Sequence, residues 1–368
     1  MQHLLDYTLD EFREICIEQG RRAFLAGQVY QWIYRHGITR FQDMSNVSKA
    51  DRQWLDENWT IFRSRIDKVQ YASDGTLKLL LGWDPPSDQQ NALQLADAKS
   101  KLKQTETVMI PAGKRKTACV SSQVGCPVGC RFCASGLGGL EGNLTAGQIM
   151  EQVLRLSIEE DVDRITNIVF MGMGEPLAND KAVMKAIRMI NAAWGPAIGA
   201  RHITVSTVGL PKAIRRFARF DLPVTLALSL HAPNDELRRS LIPWADYATI
   251  DELLSACQAW FETSGREVTL EYLLLREIND RDEHARQLAR IASQMRARIN
   301  LIRYNEVKGL PYERPSTVDV REFQRILRRH GVNATIRASR GRDIAAACGQ
   351  LRHESRGKSG NRESTSRN

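Results

Sequence analysis

Apolar positions change their spacing twice along the chain. Over residues 8–60 they recur at helical intervals: TLDEFREICIEQG opens on a threonine cap and stops at Gly20, and AGQVYQWIYRHG runs to Gly37. This predicts a small helical accessory domain over residues 1–62. From 64 to 83 the pattern becomes alternation around Asp74-Gly75, a hairpin signal. The polar residues after Trp83, with two prolines among them, read as a surface loop, so 63–103 form a hairpin and polar linker. Beyond 104, short β-rich runs alternate with helical segments. The runs are TACVSS (117–122), TNIVFM (166–171), HITVS (202–206), PVTLALSL (223–230), EVTLEYLL (267–274), NLIRY (300–304) and NATIR (333–337). Alternation of this kind predicts an α/β fold, with parallel strands and crossover helices over 104–351. A doubly wound sheet and a (β/α) barrel both satisfy it. The polar motifs favour the barrel because nearly all of them follow a strand, and in a barrel the loops at the C-terminal ends of the strands converge on one mouth. Residues 352–368 lack apolar periodicity and read as a disordered basic tail.

Composition narrows the class. No apolar stretch is long enough for a membrane span, and the mean hydropathy of -0.37 agrees. Asp6, Asp10 and Glu11 occupy the positions where a secretory signal needs positive charge and then an apolar run, so a cytoplasmic protein is expected. Four of the seven cysteines, Cys119, Cys126, Cys130 and Cys133, lie within fifteen residues, which suits a metal or redox site better than a disulfide framework. The net charge of +9 is uneven: -2 over 1–100, +8 over 101–351 and +3 over 352–368. With the runs KAIRRFAR (212–219), REFQRILRRH (321–330) and RASRGR (337–342), this excess fits a polyanionic partner such as nucleic acid, although solvated helix faces would also account for it.

The chemistry concentrates in GCPVGCRFC. Cys126, Cys130 and Cys133 stand at Cys-x3-Cys-x2-Cys spacing, so three thiolates can wrap one soft metal centre. A structural zinc needs a fourth ligand at finger-like spacing, and no paired downstream motif supplies it. A 4Fe-4S cluster on three cysteines leaves one iron free to bind a cofactor, and the spacing matches the signature of the radical S-adenosylmethionine (SAM) superfamily. Gly172-Met173-Gly174-Glu175-Pro176 follows an apolar strand but lacks the third glycine of a dinucleotide fingerprint. Taken alone it reads as a tight turn; in the radical SAM enzymes that the cysteine spacing resembles, a Gly-Glu pair after the second strand receives an ammonium, which its acidic side chain and turn carbonyls suit. Ser206, Ser229 and His231 sit at other strand ends. Cys119 lies on the strand leading into the cysteine loop, and Cys348 lies far downstream in DIAAACGQLR, read as just after the last strand. A thiolate can accept a methyl group from a sulfonium, and a second thiol can release a product by forming a disulfide with the first. Cys16 and Cys257, in helical segments, read as core residues.

Across residues 5–352 the chain resembles the RlmN/Cfr family of radical SAM RNA methyltransferases, through ETVMIP, CVSSQVGCPVGCRFCASG, MGMGEPL, VSTVGLP, SLHAPND, YNEVKG, YERPS and AACGQLR. The resemblance implies a partial TIM-like radical SAM barrel. It implies methylation of an adenine carbon in large-subunit ribosomal RNA, carbon 2 in the first place with carbon 8 as the alternative, with some members also modifying transfer RNA. By resemblance, Cys126, Cys130 and Cys133 hold the cluster, while Gly174, Glu175, Ser206, Ser229, Leu230, His231 and Asn305 contact SAM. Cys348 becomes S-methylated by one SAM, a deoxyadenosyl radical from a second takes a hydrogen from that methyl, and the methylene radical adds to the base. Cys119 then resolves the covalent RNA adduct through a transient disulfide, and Glu106 is the proton acceptor. The implied partners are RNA and an electron donor such as flavodoxin, for a monomeric protein with no membrane association. Two other classes fit parts of the pattern: a glycyl-radical activator, which leaves Cys119 and Cys348 idle, and an RNA-binding protein with a structural metal, which leaves the Gly-Glu, Ser and His set unexplained.

Overall fold

The computed structural model describes residues 1–83, 103–159 and 164–351. The polar stretch after Trp83 and the basic tail lie outside these residues. Helix α1 (Leu9–Glu18) starts in a capping box, in which Glu11 N–H donates to Thr8 Oγ1 and Thr8 N–H to Glu11. Helix α2 (Phe24–His36) ends where Gly37 turns left-handed, and Ser48 caps α3 (Lys49–Asn58). Phe12, Tyr30 and Trp59 pack between these helices. The short parallel pair β1 (Gln2–His3) and β2 (Trp59–Thr60) ties the two ends of the module together.

The rest is built on one ten-stranded sheet. Its strands are β3 (Ser64–Tyr71), β4 (Leu77–Trp83), β5 (Lys103–Ala112), β6 (Arg115–Cys119), β9 (Asn167–Phe170), β10 (Ile203–Thr207), β11 (Thr225–Ser229), β12 (Val268–Leu274), β13 (Ala297–Arg303) and β14 (Ala334–Arg337). The omitted pair, β7 (Gln123–Gly125) and β8 (Leu140–Asn143), forms a separate antiparallel hairpin that frames the cysteine loop. The order across the sheet is β14-β13-β12-β11-β10-β9-β6-β5-β4-β3. Every pairing from β14 to β6 is parallel, and β5, β4 and β3 extend the sheet antiparallel. The parallel strands form an arc that stays open, with β14 as its edge. Helices α4 (Ala146–Glu159), α5 (Asp180–Asn191), α6 (Pro211–Phe217), α7 (Asp235–Leu241), α8 (Ile250–Ser264), α9 (Asp282–Ser293) and α10 (Thr317–Arg329) make the crossovers. The strand interiors need this cover, since every residue of β4 and β12 is buried.

Two features differ from the sequence expectation. The hairpin of 63–103 is continuous with the barrel sheet, because β4 pairs with β5 along seven positions from Leu77–Met109 to Trp83–Lys103. Cys348 does not follow β14 directly. It lies farther on, in an irregular loop after the turn Arg342–Ile344, where Gly341, Ala345 and Gly349 all have positive φ. Cys16 and Cys257 are buried in α1 and α8, as expected.

Candidate active site

The cysteine loop is folded by close backbone approaches that exclude side chains. At Gly125 (φ +73°) a Cβ would stand 2.0 Å from the Gly139 carbonyl, which accepts from Cys126 N–H at 2.9 Å. Cys126, Cys130 and Cys133 then rim a cavity of about 160 Å³. Burial pushes the Cys126 thiol up to about 12. It raises Cys130 and Cys133 as well, and the two neighbouring thiols add to the rise at Cys130. Three such thiols give up their protons only against a strongly positive partner. Among the described residues no three acidic, histidine or cysteine groups close tightly enough to hold a single metal ion. A four-iron cube spreads its ligands over separate corners, and three soft donors around one cavity fit that larger body.

The opposite wall comes from strand ends. Gly174 (φ +104°) lies so close to β7 that a Cβ would meet Gln123 Cβ and Ser122 Oγ at 2.7 Å, and this approach carries Glu175 into the cavity. The Glu175 carboxylate accepts from Val208 N–H at 2.7 Å and Leu177 N–H at 3.0 Å. Burial nevertheless raises its pKa to about 7. Among the described residues no cationic side chain pairs with it, so an ammonium-bearing ligand is its natural complement. Ser206 and Ser229 hydroxyls lie 3.2 Å apart across β10 and β11. His231 Nδ1 accepts from Leu273 N–H at 3.1 Å, which leaves the proton on Nε2. Burial, with Arg238 adding, holds this imidazole neutral by lowering its pKa to about 3. Leu230 is a buried apolar residue whose N–H donates to Glu271 O at 3.1 Å, and it does not line the cavity.

A second cavity, of about 330 Å³, lies beside the first. Cys119 and Asn305 line this one only, whereas Cys348 and Arg337 line both. Burial pushes the Cys119 thiol up to about 12, and the nearby Cys348 thiol adds to the rise. Asn305 Nδ2 donates to the Cys348 carbonyl at 3.4 Å, and Arg314 donates to Asn305 Oδ1 at 2.9 Å. Asn305 therefore supports the Cys348 loop rather than the first cavity. Glu106 lies in neither cavity. Its carboxylate is ion-paired at 2.8 Å with the buried Lys78, and both line a third cavity against the Cys348 loop.

Sequence reasoning missed Glu271 and Arg337. Glu271, on β12, lines the first cavity, and burial raises its pKa. Arg337, whose charge is favoured by Cys348 and Glu271, donates to Met171 Sδ at 3.4 Å. The signal for Glu271 was a single charge in the middle of the otherwise uncharged strand run VTLEYLL.

An open parallel barrel with a three-cysteine loop, an acidic strand-end turn and polar strand ends around one cavity is the arrangement of a radical SAM enzyme. The Radical SAM superfamily pattern matches residues 120–289, and the Ribosomal RNA large subunit methyltransferase N-terminal domain matches residues 2–61. A "Probable dual-specificity RNA methyltransferase RlmN" of Rhodopirellula baltica is 44% identical over 351 residues, 95% of this chain and 90% of its own length. Another of the same name, from Gloeobacter violaceus, is 44% identical over 96% of this chain and 95% of its own. The crystal structure of a radical SAM methyltransferase from Sphaerobacter thermophilus superposes with a TM-score of 0.89 at 40% identity, covering 96% of this chain and 99% of that one. The chain belongs to the RlmN family of radical SAM methyltransferases, whose cofactors are a 4Fe-4S cluster and SAM.

Proposed function

We propose that this enzyme methylates carbon 2 of an adenine in large-subunit ribosomal RNA and in transfer RNA, using a methyl group carried on Cys348. One observation supports the reading above all: Cys348 borders the cavity of the three cluster cysteines and also the cavity that contains Cys119. When bound in the first cavity, with an electron from a donor such as flavodoxin, the cluster and SAM supply a methyl group and a deoxyadenosyl radical that abstracts hydrogen. Glu175 pairs with the ammonium of SAM, and Ser206, Ser229 and the His231 Nε2–H offer polar contacts around it. Cys348 loses its thiol proton and accepts the methyl on sulfur from one SAM, which leaves as S-adenosylhomocysteine; it then loses one hydrogen atom from that methyl to the radical from a second SAM, and its methylene carbon bonds to the base in the second cavity. This route suits carbon 2, which is neither nucleophilic nor attached to an acidic hydrogen. The surplus electron of the radical adduct goes to the cluster, oxidised when it supplied the electron for SAM cleavage, and Glu106 takes the proton from that carbon. This requires the Glu106 side chain or the Cys348 loop to shift, since the carboxylate faces Lys78 in the structure. Cys119, protonated at rest, then gives up its proton as it attacks the Cys348 sulfur; the S–S bond forms as the S–C bond breaks, and the product carbon keeps that electron pair and takes up one proton to become the methyl group.

Replacing each thiol tests the assignment. Cys348→Ala abolishes RNA methylation and leaves iron and sulfide content unchanged. Cys119→Ala accumulates RNA joined covalently through Cys348, visible after nuclease digestion as a nucleotide adduct by mass spectrometry. A Cys119→Ala enzyme that turns over without an adduct, or a product methylated at carbon 8, would overturn the reading.

A further inference from the structure

The second cavity opens toward β14, and arginines continue outward from it. Arg115 and Arg340, both exposed, stand at its rim. Ile336 on β14 lines this cavity and also a shallow groove along α10 formed by Arg321, Arg325, Arg328 and Arg329. The two depressions therefore meet at one residue of the sheet's open edge.

Their charges are not equally committed. Arg325 is ion-paired with Glu322, one turn away. Arg340 stands 3.8 Å from Asp74. Among the described residues no close ion pair involves Arg321, Arg328 or Arg329, although the charge of Arg329 also reaches Glu322 and Arg328 donates to the Ala334 carbonyl at 3.2 Å. α10 places Arg321 and Arg328 seven residues apart on one face, with Arg329 adjacent. A solvated surface helix normally interleaves both signs of charge, and a row of unpaired guanidinium groups leading to a reactive cavity calls for a chain of anions.

We propose that the α10 arginine row is a phosphate rail for single-stranded RNA. The strand lies along Arg321, Arg328 and Arg329, crosses the edge of β14 at Ile336, and turns one nucleotide between Arg115 and Arg340 toward Cys348 and Cys119. The proposal rests on the reading that the second cavity receives the RNA base. The rail contacts backbone only, so it fixes path and register, while the base is selected inside the cavity. A bend at the cavity mouth requires an unpaired nucleotide, because a base held in a duplex cannot reach a recessed thiol.

The test measures binding of the full-length protein to a single-stranded RNA loop across a salt series, without SAM, so that it does not depend on turnover. Replacing all three rail residues (Arg321→Gln, Arg328→Gln, Arg329→Gln) should make the log-log salt dependence shallower by about two, at about 0.7 per phosphate contact on a single strand. A control triple beside the helices that follow β9 and β10, four or five strands away from β14, Lys181→Gln, Lys212→Gln and Arg219→Gln, removes the same charge from exposed positions and should leave the slope unchanged. In methylation assays the rail triple should raise KM for RNA with little change in kcat. An unchanged slope in the rail triple, or an equal loss in the control triple, would overturn the rail. Rail behaviour as expected with no methyl on Cys348 in the wild-type enzyme would leave the rail standing and defeat the proposed chemistry instead.

Discussion

Glu175 shows how a single environment sets the working pH of a site. Its carboxylate is buried, with two backbone N–H donors and no cationic partner among the described residues, and its pKa rises to about 7. The ammonium of SAM would favour the ionised form, so binding should pull the pKa down. Linkage then fixes the sign: above about 7 the carboxylate is ready and affinity is flat, whereas below it each pH unit should cost about tenfold in SAM affinity until the bound-state pKa is reached. Glu175→Gln should weaken SAM binding about 10- to 100-fold, corresponding to about 1.5–3 kcal/mol for a hydrogen bond to a charged group. The variant should also lose the pH dependence. Calorimetric titration of SAM into the cluster-loaded enzyme between pH 6 and 8 checks both; an acid limb that survives in the variant would assign the titration to another group.

At the scale of elements, the β3–β4 hairpin holds the loop that carries Cys348. Ser73 N–H donates to Asp343 at 2.8 Å, Gly341 N–H to Asp74 at 3.1 Å, and Lys78 Nζ to the Ala345 carbonyl at 3.2 Å while it pairs with Glu106. Asp74→Ala should therefore lower RNA methylation by roughly ten- to a hundredfold, the loss expected when a reacting group is misplaced by about 1 Å, and raise the ratio of deoxyadenosine released to methyl transferred. An unchanged ratio would show that the loop needs no such support. This contact was illegible in the sequence, because Lys78 and Glu106 become diagonal neighbours only once the β4–β5 register, Leu80 opposite Glu106, is known. The parallel strands were legible because their apolar runs are bounded by polar turns, and the cysteine spacing was legible because its ligands are local. β7 and β8 are too short and glycine-bearing to show a pattern. The position of Cys348 was misread because the loop after β14 has no periodicity, its course being set by the hairpin and by the bond from Ala134 N–H to Gly349 O at 2.8 Å.

Over the whole molecule, the N-terminal module is wired to the thiol site through one helix. Glu151 on α4 faces the module: it lies 3.2 Å from His3 Nε2 and accepts from Arg63 and Ser64 N–H at 2.9 and 2.8 Å. Its neighbour Gln152 faces the sheet, accepting from Ser121 N–H at 2.7 Å and donating to Ser121 O at 2.9 Å, and the Ser121 hydroxyl donates to the carbonyl of Glu106. Docking of the module thus fixes the helix that seats the strand end between Cys119 and the cysteine loop. Burial opposes a charge on His3, but Asp6 and Glu151 overcome it and raise its pKa above 6.5. Burial likewise opposes ionisation of Asp6 and Glu151, yet His3 holds them below 3.8 and 4.5. The His3 contribution is complete below pH 6.5 and lost as pH rises through its folded value; the carboxylate contributions are complete above 4.5 and lost as pH falls through theirs. Docking is therefore strongest between about pH 4.5 and 6.5. His3→Ala should destabilise the protein by about 1.5–3 kcal/mol at pH 5.5, since the buried Glu151 loses a charged hydrogen-bond partner and keeps only Arg155, 3.6 Å away, as its cation, and by less at pH 8.5, where the wild-type imidazole has lost part of its charge. Urea unfolding of both proteins at the two pH values measures the difference. A gap that does not narrow at pH 8.5 would mean that His3 acts through packing and its bond to the Ile61 carbonyl rather than through charge.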